Sequence, residues 1–373
     1  MKVCVVTPLF ALSGVPLAQL KFARALAAAG HDVDLIIGHI NHGYILPELS
    51  GINVMVWDVS RVIQMLIPMA RYLKKNRPDA VFSAEDHLNG IVLLAALISR
   101  SKAKISGSSR VTPFDTYSSI PFTKRWVLKL FMRAMMPRAN ALTCVSKDMV
   151  DQYRQVFRSP PHTCIYNIVD DGDSKRKMSE PLVDEWFLSE NEPMLVAAGR
   201  LAPWKGFPDL ILAMKEVVKS RSAKLAILGD GPMREELQAL IDELGLSDVV
   251  KLYGYVENPL KYFCQADVFV LSSYVEGLPN VLVEAMMCGC TPVSTDCPTG
   301  PREVLHDGKY GYLVPVKAPS ALAEGIVKAL DAPLSPSLLQ EAIGPFAERE
   351  VIKKHFDVLG LNSLEQQASR NMS

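Results

Sequence analysis

Short apolar runs recur along the chain, each followed by a turn rich in Gly, Ser or Asp and then by an amphipathic stretch of helical period. Lys2-Val3-Cys4-Val5-Val6-Thr7 reads as the first strand, Ser13-Gly14-Val15 as a turn, and residues 16–29 as a helix closed by Gly30. Further strands are expected at residues 33–38, 54–56, 80–83, 104–107 and 141–145, then at 194–199, 225–228 and 267–271. Most of these runs are predominantly apolar with no strict alternation, which is the pattern of parallel strands covered on both faces by helices. The expectation is a doubly wound α/β architecture.

Candidate chemistry falls in the turns after the later strands, where open parallel sheets bind their ligands. The strand at 194–199 runs into Arg200-Leu201-Ala202-Pro203-Trp204-Lys205-Gly206, ahead of a helix at about 208–218. Arg offers a planar fork and Lys a mobile point charge, a pair suited to a diphosphate. Leu225-Ala226-Ile227-Leu228-Gly229-Asp230-Gly231-Pro232 repeats the strand, turn and helix layout. Glu276-Gly277-Leu278-Pro279-Asn280-Val281-Leu282-Val283-Glu284-Ala285 then sets two glutamates eight residues apart across a helix start. Pro279 suits the first helical turn, and amides near Gly277 and Leu278 would face an anion together with the positive end of the helix dipole. Glu284 projects from an otherwise apolar helix and needs donors, which a ribose diol supplies; a sugar hydroxyl does the same for Glu276. Read singly, Glu276 serves as well to complement the dipole, Glu284 to pair with a structural arginine, and the two cations to solvate a loop. Those alternatives stay open at this point.

Taken together, Gly199-Arg200 through Lys205-Gly206, Leu228-Gly229-Asp230-Gly231-Pro232, the spaced glutamates and Gly308-Lys309-Tyr310-Gly311-Tyr312-Leu313-Val314 resemble, in order and spacing, the retaining glycosyltransferases of family 4. The likeness spans about residues 194–315, with weaker agreement elsewhere, and Ser294-Thr295-Asp296-Cys297-Pro298-Thr299-Gly300-Pro301-Arg302-Glu303 resembles members that build bacterial surface glycans and lipid-linked oligosaccharides. The resemblance implies the GT-B fold, two Rossmann-like domains facing across a cleft: an acceptor-binding domain at 1–170, a nucleotide-sugar domain at 171–345, and a final segment, 346–373, whose helix crosses back to the first domain. It implies diphosphate binding and catalysis by Arg200 and Lys205, contact of Glu276 with the transferred sugar and of Glu284 with the ribose. Donor contacts are also implied from Gly14, Gly199, Gly229, Gly254, Gly277, Leu278 and Asn280. The implied donor is a UDP-sugar, the acceptor a glycan or polyprenyl-linked sugar, and the reaction needs no metal and no cofactor.

Two departures from the family pattern lie in the first half. Members commonly carry two adjacent glycines in the first turn, and here Gly14 stands alone. Many place a His after the strand matching 104–107, where this chain reads Ser108-Ser109-Arg110. Arg110 is therefore a candidate for an acceptor phosphate or the donor sugar, and His87 of Glu85-Asp86-His87 competes for the role; a surface arginine and a structural histidine are the bland readings. Asp170-Asp171-Gly172-Asp173 is read as turn chemistry and not as a metal site.

Charge changes the picture more than composition does. The chain of 373 residues is formally neutral, yet residues 1–178 hold 23 Lys+Arg against 13 Asp+Glu, leaving 17 against 27 for the remainder. With no zinc spacing, helix-turn-helix signature or aromatic-basic interleaving, nucleic acid is not the expected partner of the basic half. An anionic acceptor or membrane surface fits better. Arg125, Lys129 and Arg133 recur at i+4 among Trp126, Leu130 and other bulky groups, the layout of a helix lying on an anionic bilayer or of a core helix with one solvated face. Seven cysteines without paired spacing, no secretory signal and no apolar run of about 20 residues lead to the expectation of a cytoplasmic protein, peripheral on the membrane at most. A nicotinamide dehydrogenase would share the alternating pattern, but Gly14 lacks the Gly-x-Gly-x-x-Gly context. A non-catalytic nucleotide-sugar binding module would keep Arg200, Lys205 and Glu284.

Overall fold

A computed structural model describes residues 1–11, 14–188 and 192–361. The chain divides into two compact units, Met1–Ile168 with Glu348–Ser373, and Val169–Ala347.

In the first unit, strands β1 (Lys2–Thr7), β2 (Asp32–Ile37), β3 (Ile52–Val56), β4 (Ala80–Ala84), β5 (Lys104–Ser109), β6 (Ala141–Cys144) and β7 (Thr163–Cys164) form one sheet in the order β3-β2-β1-β4-β5-β6-β7. Every pairing is parallel. The apolar runs are explained by burial on both faces. Val3, Val5, Leu35 and Phe82 pack under Leu26 of helix Gly14–Ala28 and under Val351, Phe356 and Leu359 of helix Glu348–Leu359. Cys4, Val6, Ile36, Val81 and Ile105 point the other way, into Met69, Leu88 and Val92. The last helix begins at Glu348, after a single tight turn at Gly344–Phe346, and completes the core of this unit. Its first helix starts at Gly14, earlier than expected, because Pro16 falls in the first turn, where its missing N–H leaves no bond unmade.

The second unit holds β8 (Met194–Ala198), β9 (Lys224–Leu228), β10 (Val250–Gly254), β11 (Val268–Leu271), β12 (Thr291–Thr295) and β13 (Tyr312–Val314), again parallel, in the order β10-β9-β8-β11-β12-β13. Leu195, Ala197, Leu225, Ile227, Val268 and Val270 form its center with Leu210, Met214, Leu237 and Ile326. Pro279 lies outside the helix it was expected to open: at ψ 80° it is the flanking residue, and the helix is Asn280–Met287. The turn at Asp170-Asp171-Gly172-Asp173 caps helix Gly172–Met178 through Asp171, while Asp170 pairs with Lys175 and Asp173 with Arg176 and Lys177.

In each sheet the strand order reverses beside the first strand, between β1 and β4 in one and between β8 and β11 in the other. Loops leaving the carboxyl ends of these neighbours are forced together, the general ligand position of open α/β sheets. Among the described residues no helix is long and apolar enough to cross a membrane.

Candidate functional site

In the second unit the β8 loop carries Arg200 and Lys205 and the β11 loop carries Glu276. Because β8 and β11 are neighbours, Lys205 Nζ reaches Glu276 Oε1 at 2.6 Å, although the residues are far apart in sequence. Ser273 Oγ donates to the same oxygen at 2.6 Å. The two loops are stitched elsewhere: Ser272 Oγ donates to the Lys205 carbonyl, and the Tyr274 amide to the Trp204 carbonyl, both at 2.8 Å. Lys205 and Glu276 are 17% and 12% exposed, so the pair is shielded yet open to a ligand. Sequence reasoning assigned them to different parts of one ligand; the structure adds that they hold each other.

Glycines allow the close packing of these loops, Gly206 between the β8 and β11 loops and Gly229 between the β8 and β9 loops. Gly206 sits at φ 65°, and a Cβ there would lie 2.0 Å from the Ser272 carbonyl oxygen. Gly229 sits at φ 140°, with a hypothetical Cβ 1.9 Å from the Gly199 carbonyl, and its amide donates to the Gly254 carbonyl at 2.7 Å. Gly199, Gly229 and Gly254 thus lie at the carboxyl ends of β8, β9 and β10 as close-packed backbone.

Arg200 is exposed and makes no ion pair among the described residues, leaving its guanidinium available. The amides of Gly277 and Leu278 donate to no described residue, and both precede helix Asn280–Met287, whose positive end they extend. The loop behind them is fixed by Thr299, whose Oγ1 donates to the Gly277 carbonyl at 2.8 Å and whose amide donates to that of Glu276 at 2.9 Å. Burial, with the Glu276 carboxylate nearby, pushes the Cys297 thiol up to about 12 and keeps it neutral. Glu284 is half-buried one turn into the helix and accepts no hydrogen bond among the described residues, so the structural arginine partner is not there. The two loops and the helix after them thus carry two amides, a guanidinium and a carboxylate without partners among the described residues, together with the Lys205–Glu276 pair, groups suited to a ligand that bears both anionic oxygens and hydroxyls.

The first unit brings together the residues left as alternatives. His87 follows β4, Arg110 follows β5, and both line one pocket of about 430 Å³ with Glu85, Asp115, Lys124 and Arg125. Arg110 donates from Nη1 to Asn167 Oδ1 and from Nη2 to Gln19 Oε1 at 3.4 Å, while its Nε is buried without a partner. Burial lowers its guanidinium to about 10, with Glu85 among the groups pulling it back up. Gly14 is exposed at the start of its helix; Ser13 lies outside the described residues.

Sequence reasoning missed the group that builds this pocket. Asp86, 5% exposed, accepts from Ser109 Oγ, Tyr117 Oη and Tyr153 Oη, each at 2.5 Å. One carboxylate therefore ties the start of helix Asp86–Ser99 to the end of β5, to the segment after Pro113–Thr116 and to helix Lys147–Val156. Burial and this carboxylate raise both phenols far above their usual range. The only signal in the chain was a carboxylate next to His87 after a strand.

Comparison with known proteins supplies the rest. Residues 179–348 match the model of glycosyl transferases group 1 and residues 13–173 that of glycosyltransferase family 4. The chain is 30% identical over 255 residues, 68% of its length and 67% of the relative's, to N-acetylgalactosamine-N,N'-diacetylbacillosaminyl-diphospho-undecaprenol 4-alpha-N-acetylgalactosaminyltransferase of Campylobacter jejuni. It is 36% identical over 195 residues, 52% of this chain and 54% of the relative, to the lipopolysaccharide core biosynthesis glycosyltransferase LpsD of Rhizobium meliloti. Among solved structures, HepE of Anabaena in complex with UDP and glucose aligns with a TM-score of 0.76 at 18% identity, covering 96% of this chain and 99% of that one. The lipopolysaccharide outer core galactosyltransferase WaaB aligns with a TM-score of 0.73 at 18% identity and the same coverage.

Proposed function

Because this chain belongs to the glycosyltransferases of family 4, with their GT-B fold, we propose that it moves a hexosyl or N-acetylhexosaminyl group from a UDP-sugar to a glycan or polyprenyl-linked acceptor in surface-glycan assembly, with retention at the anomeric carbon. The observation that carries this reading is the pair of loops after β8 and β11, which bring Lys205 onto Glu276 and carry Arg200 and the free amides of Gly277 and Leu278 in the same two segments.

The donor diphosphate binds Arg200, Lys205 and the two amides, and the ribose diol donates to Glu284. As the anomeric carbon–oxygen bond breaks, negative charge grows on the leaving phosphate, and these groups stabilise it more strongly than they do the intact donor. The sugar becomes oxocarbenium-like, and the Glu276 carboxylate faces that positive charge. Lys205 serves both halves of the separating pair, since it lies against Glu276 and reaches for the phosphate. The acceptor oxygen attacks from the face the phosphate leaves, and its proton passes to the departing phosphate oxygen. No covalent intermediate and no metal enters this scheme.

The acceptor belongs to the first unit in this reading, and the work is done on the cytoplasmic face of a membrane. Helix Lys124–Met135 supports the second statement: Met132 is buried, whereas Val127, Leu130 and Arg133 are exposed on the outer face, with Lys129 at its flank. Phe122, 90% exposed, packs its ring against Trp126 ahead of it. The names of relatives that act on a diphospho-undecaprenol-linked sugar or in lipopolysaccharide synthesis support the acceptor class. The test is a panel of UDP- and GDP-sugars with and without a polyprenyl-diphosphate-linked sugar, following diphosphonucleoside release and the anomeric configuration of the product. Absence of acceptor-stimulated release, or an inverted product, would overturn it.

A further inference from the structure

β4 ends at Ala84, and Glu85 is the first residue beyond it, beside the point where the strand order of this sheet reverses. Its backbone stands at φ 79°, ψ 131°, a region that side-chain-bearing residues rarely enter. Two bonds hold it there: the Glu85 amide donates to the Ser108 carbonyl at 2.9 Å, and its own carbonyl accepts from the Asn89 amide at 2.8 Å. The next residue, Asp86, is pinned by three hydroxyls. The backbone is thus over-determined on both sides, and its effect is to direct the Glu85 side chain into the 430 Å³ pocket shared with His87 and Arg110.

Half-buried, the Glu85 carboxylate accepts no hydrogen bond among the described residues, and no ion pair joins it to Arg110. Burial raises its carboxyl, opposed by the Arg110 guanidinium. Arg110 lines the same pocket, its guanidinium held by Asn167 and Gln19. The pocket therefore offers unsatisfied, partly desolvated acceptor oxygens beside a tethered cation, an arrangement that a group carrying adjacent O–H donors completes. Acid and base are balanced here, with Glu85, Asp86 and Asp115 against Arg110, Lys124 and Arg125, so a neutral polyhydroxyl group fits better than a bare anion.

We infer that Glu85 binds the acceptor sugar, its carboxylate taking two hydroxyl donors of the terminal sugar in the pocket it shares with Arg110. The inference deepens the transferase reading above and rests on it. It makes Glu85 a specificity residue of the first unit, in the same place relative to its sheet as Glu276 in the second.

The experiment uses the full chain saturated with UDP, titrated with methyl glycosides of hexoses and N-acetylhexosamines and observed by saturation-transfer NMR, with UDP affinity and melting temperature measured in parallel. Glu85→Gln should weaken the best-bound glycoside about tenfold or more, the scale of losing a charge-assisted hydrogen bond in a shielded site. Glu85→Gly removes the same carboxylate but relieves the backbone, so it should melt no lower than the parent while losing the glycoside; UDP affinity should hold in both. A parent that binds none of the glycosides, a variant that keeps the parent's glycoside affinity, or loss that appears only with a lowered melting temperature overturns the assignment. The transferase reading is judged separately by UDP release from UDP-sugars, and its failure would show even where a glycoside binds at Glu85.

Discussion

The loops at the two reversal points are built on the same plan and differ in what becomes of their carboxylates. In the second unit the loop after β11 packs against the loop after β8, where Gly206 allows a contact that no Cβ permits, and the Glu276 carboxylate ends against an ammonium and a hydroxyl. In the first unit the loop after β4 is fixed by side chains that converge on Asp86 from three segments, and the neighbouring Glu85 carboxylate accepts no hydrogen bond among the described residues. In the proposed reading the second unit takes the diphosphate, alike in every nucleotide sugar, with a carboxylate already paired, while the first takes an acceptor sugar, which differs between glycans, with a carboxylate left open.

The comparison breaks first at the cations. Arg200→Ala and Lys205→Ala are each expected to lower kcat/KM by two to three orders of magnitude, roughly 3–4 kcal/mol of transition-state stabilisation. Steady-state kinetics on folded protein checks this, and a double mutant with near-parental turnover would remove the diphosphate clamp. The second break is acid. Burial lowers His162 to about 4 and His355 to about 3, the latter helped by Arg110, from an ordinary 6.5. The unfolded chain takes up these protons first, so the stabilisation is complete above about pH 6.5 and is lost as pH falls through the interval down to the folded values. Two such groups give a slope approaching about 2.7 kcal/mol per pH unit. Both buried histidines belong to the first unit, so hydrogen exchange at pH 5 should show its strands opening ahead of β8–β13. Uniform opening would contradict this.

Glu284 and Glu276 sharpen the contrast inside the second unit. Glu284→Gln should weaken free UDP by about 1–3 kcal/mol in calorimetry. Glu276→Gln should leave free UDP nearly unchanged and lower kcat on the full donor, because its contact strengthens only as charge develops on the sugar. The reverse pattern would exchange their roles. The smallest effect per residue is expected at the surface: reversing the charges of Arg125, Lys129 and Arg133 should abolish co-sedimentation with anionic vesicles at low salt, at about 1 kcal/mol per cation. Full sedimentation of the triple mutant would remove the membrane contact.

What could be read in the sequence follows the same division. The first sheet was legible as far as β6 and the second at β8, β9 and β11, whereas β7, β10, β12 and β13 were not read, being two or three residues long or broken by Lys251, Thr291, Ser294 and Thr295; the candidate loops were legible because each lies in one unbroken stretch: Arg200 to Gly206, Glu276 to Glu284. The Lys205–Glu276 contact was not read, although it follows from β8 and β11 being neighbours once the strand order is known. The Asp86 cluster was beyond reach, since nothing local to Ser109, Tyr117 or Tyr153 says that the three hydroxyls meet. Pro279 misled by a residue for a simple reason, that a proline fits the residue before a helix as well as the first one in it.

Helix Glu348–Leu359 lays Val351, Phe356 and Leu359 into the core that Val3, Leu26 and Phe82 begin. A ribosome therefore releases the beginning of the first unit long before the piece that closes it, and the whole of the second unit is made in between. Residues 169–347 can finish folding while the earlier sheet still has an uncovered apolar face, and the first unit waits for residues 348–361. A chain that stops before Glu348 would thus leave the second unit intact and the first open, a product for the cell's chaperones and proteases and not a working fragment.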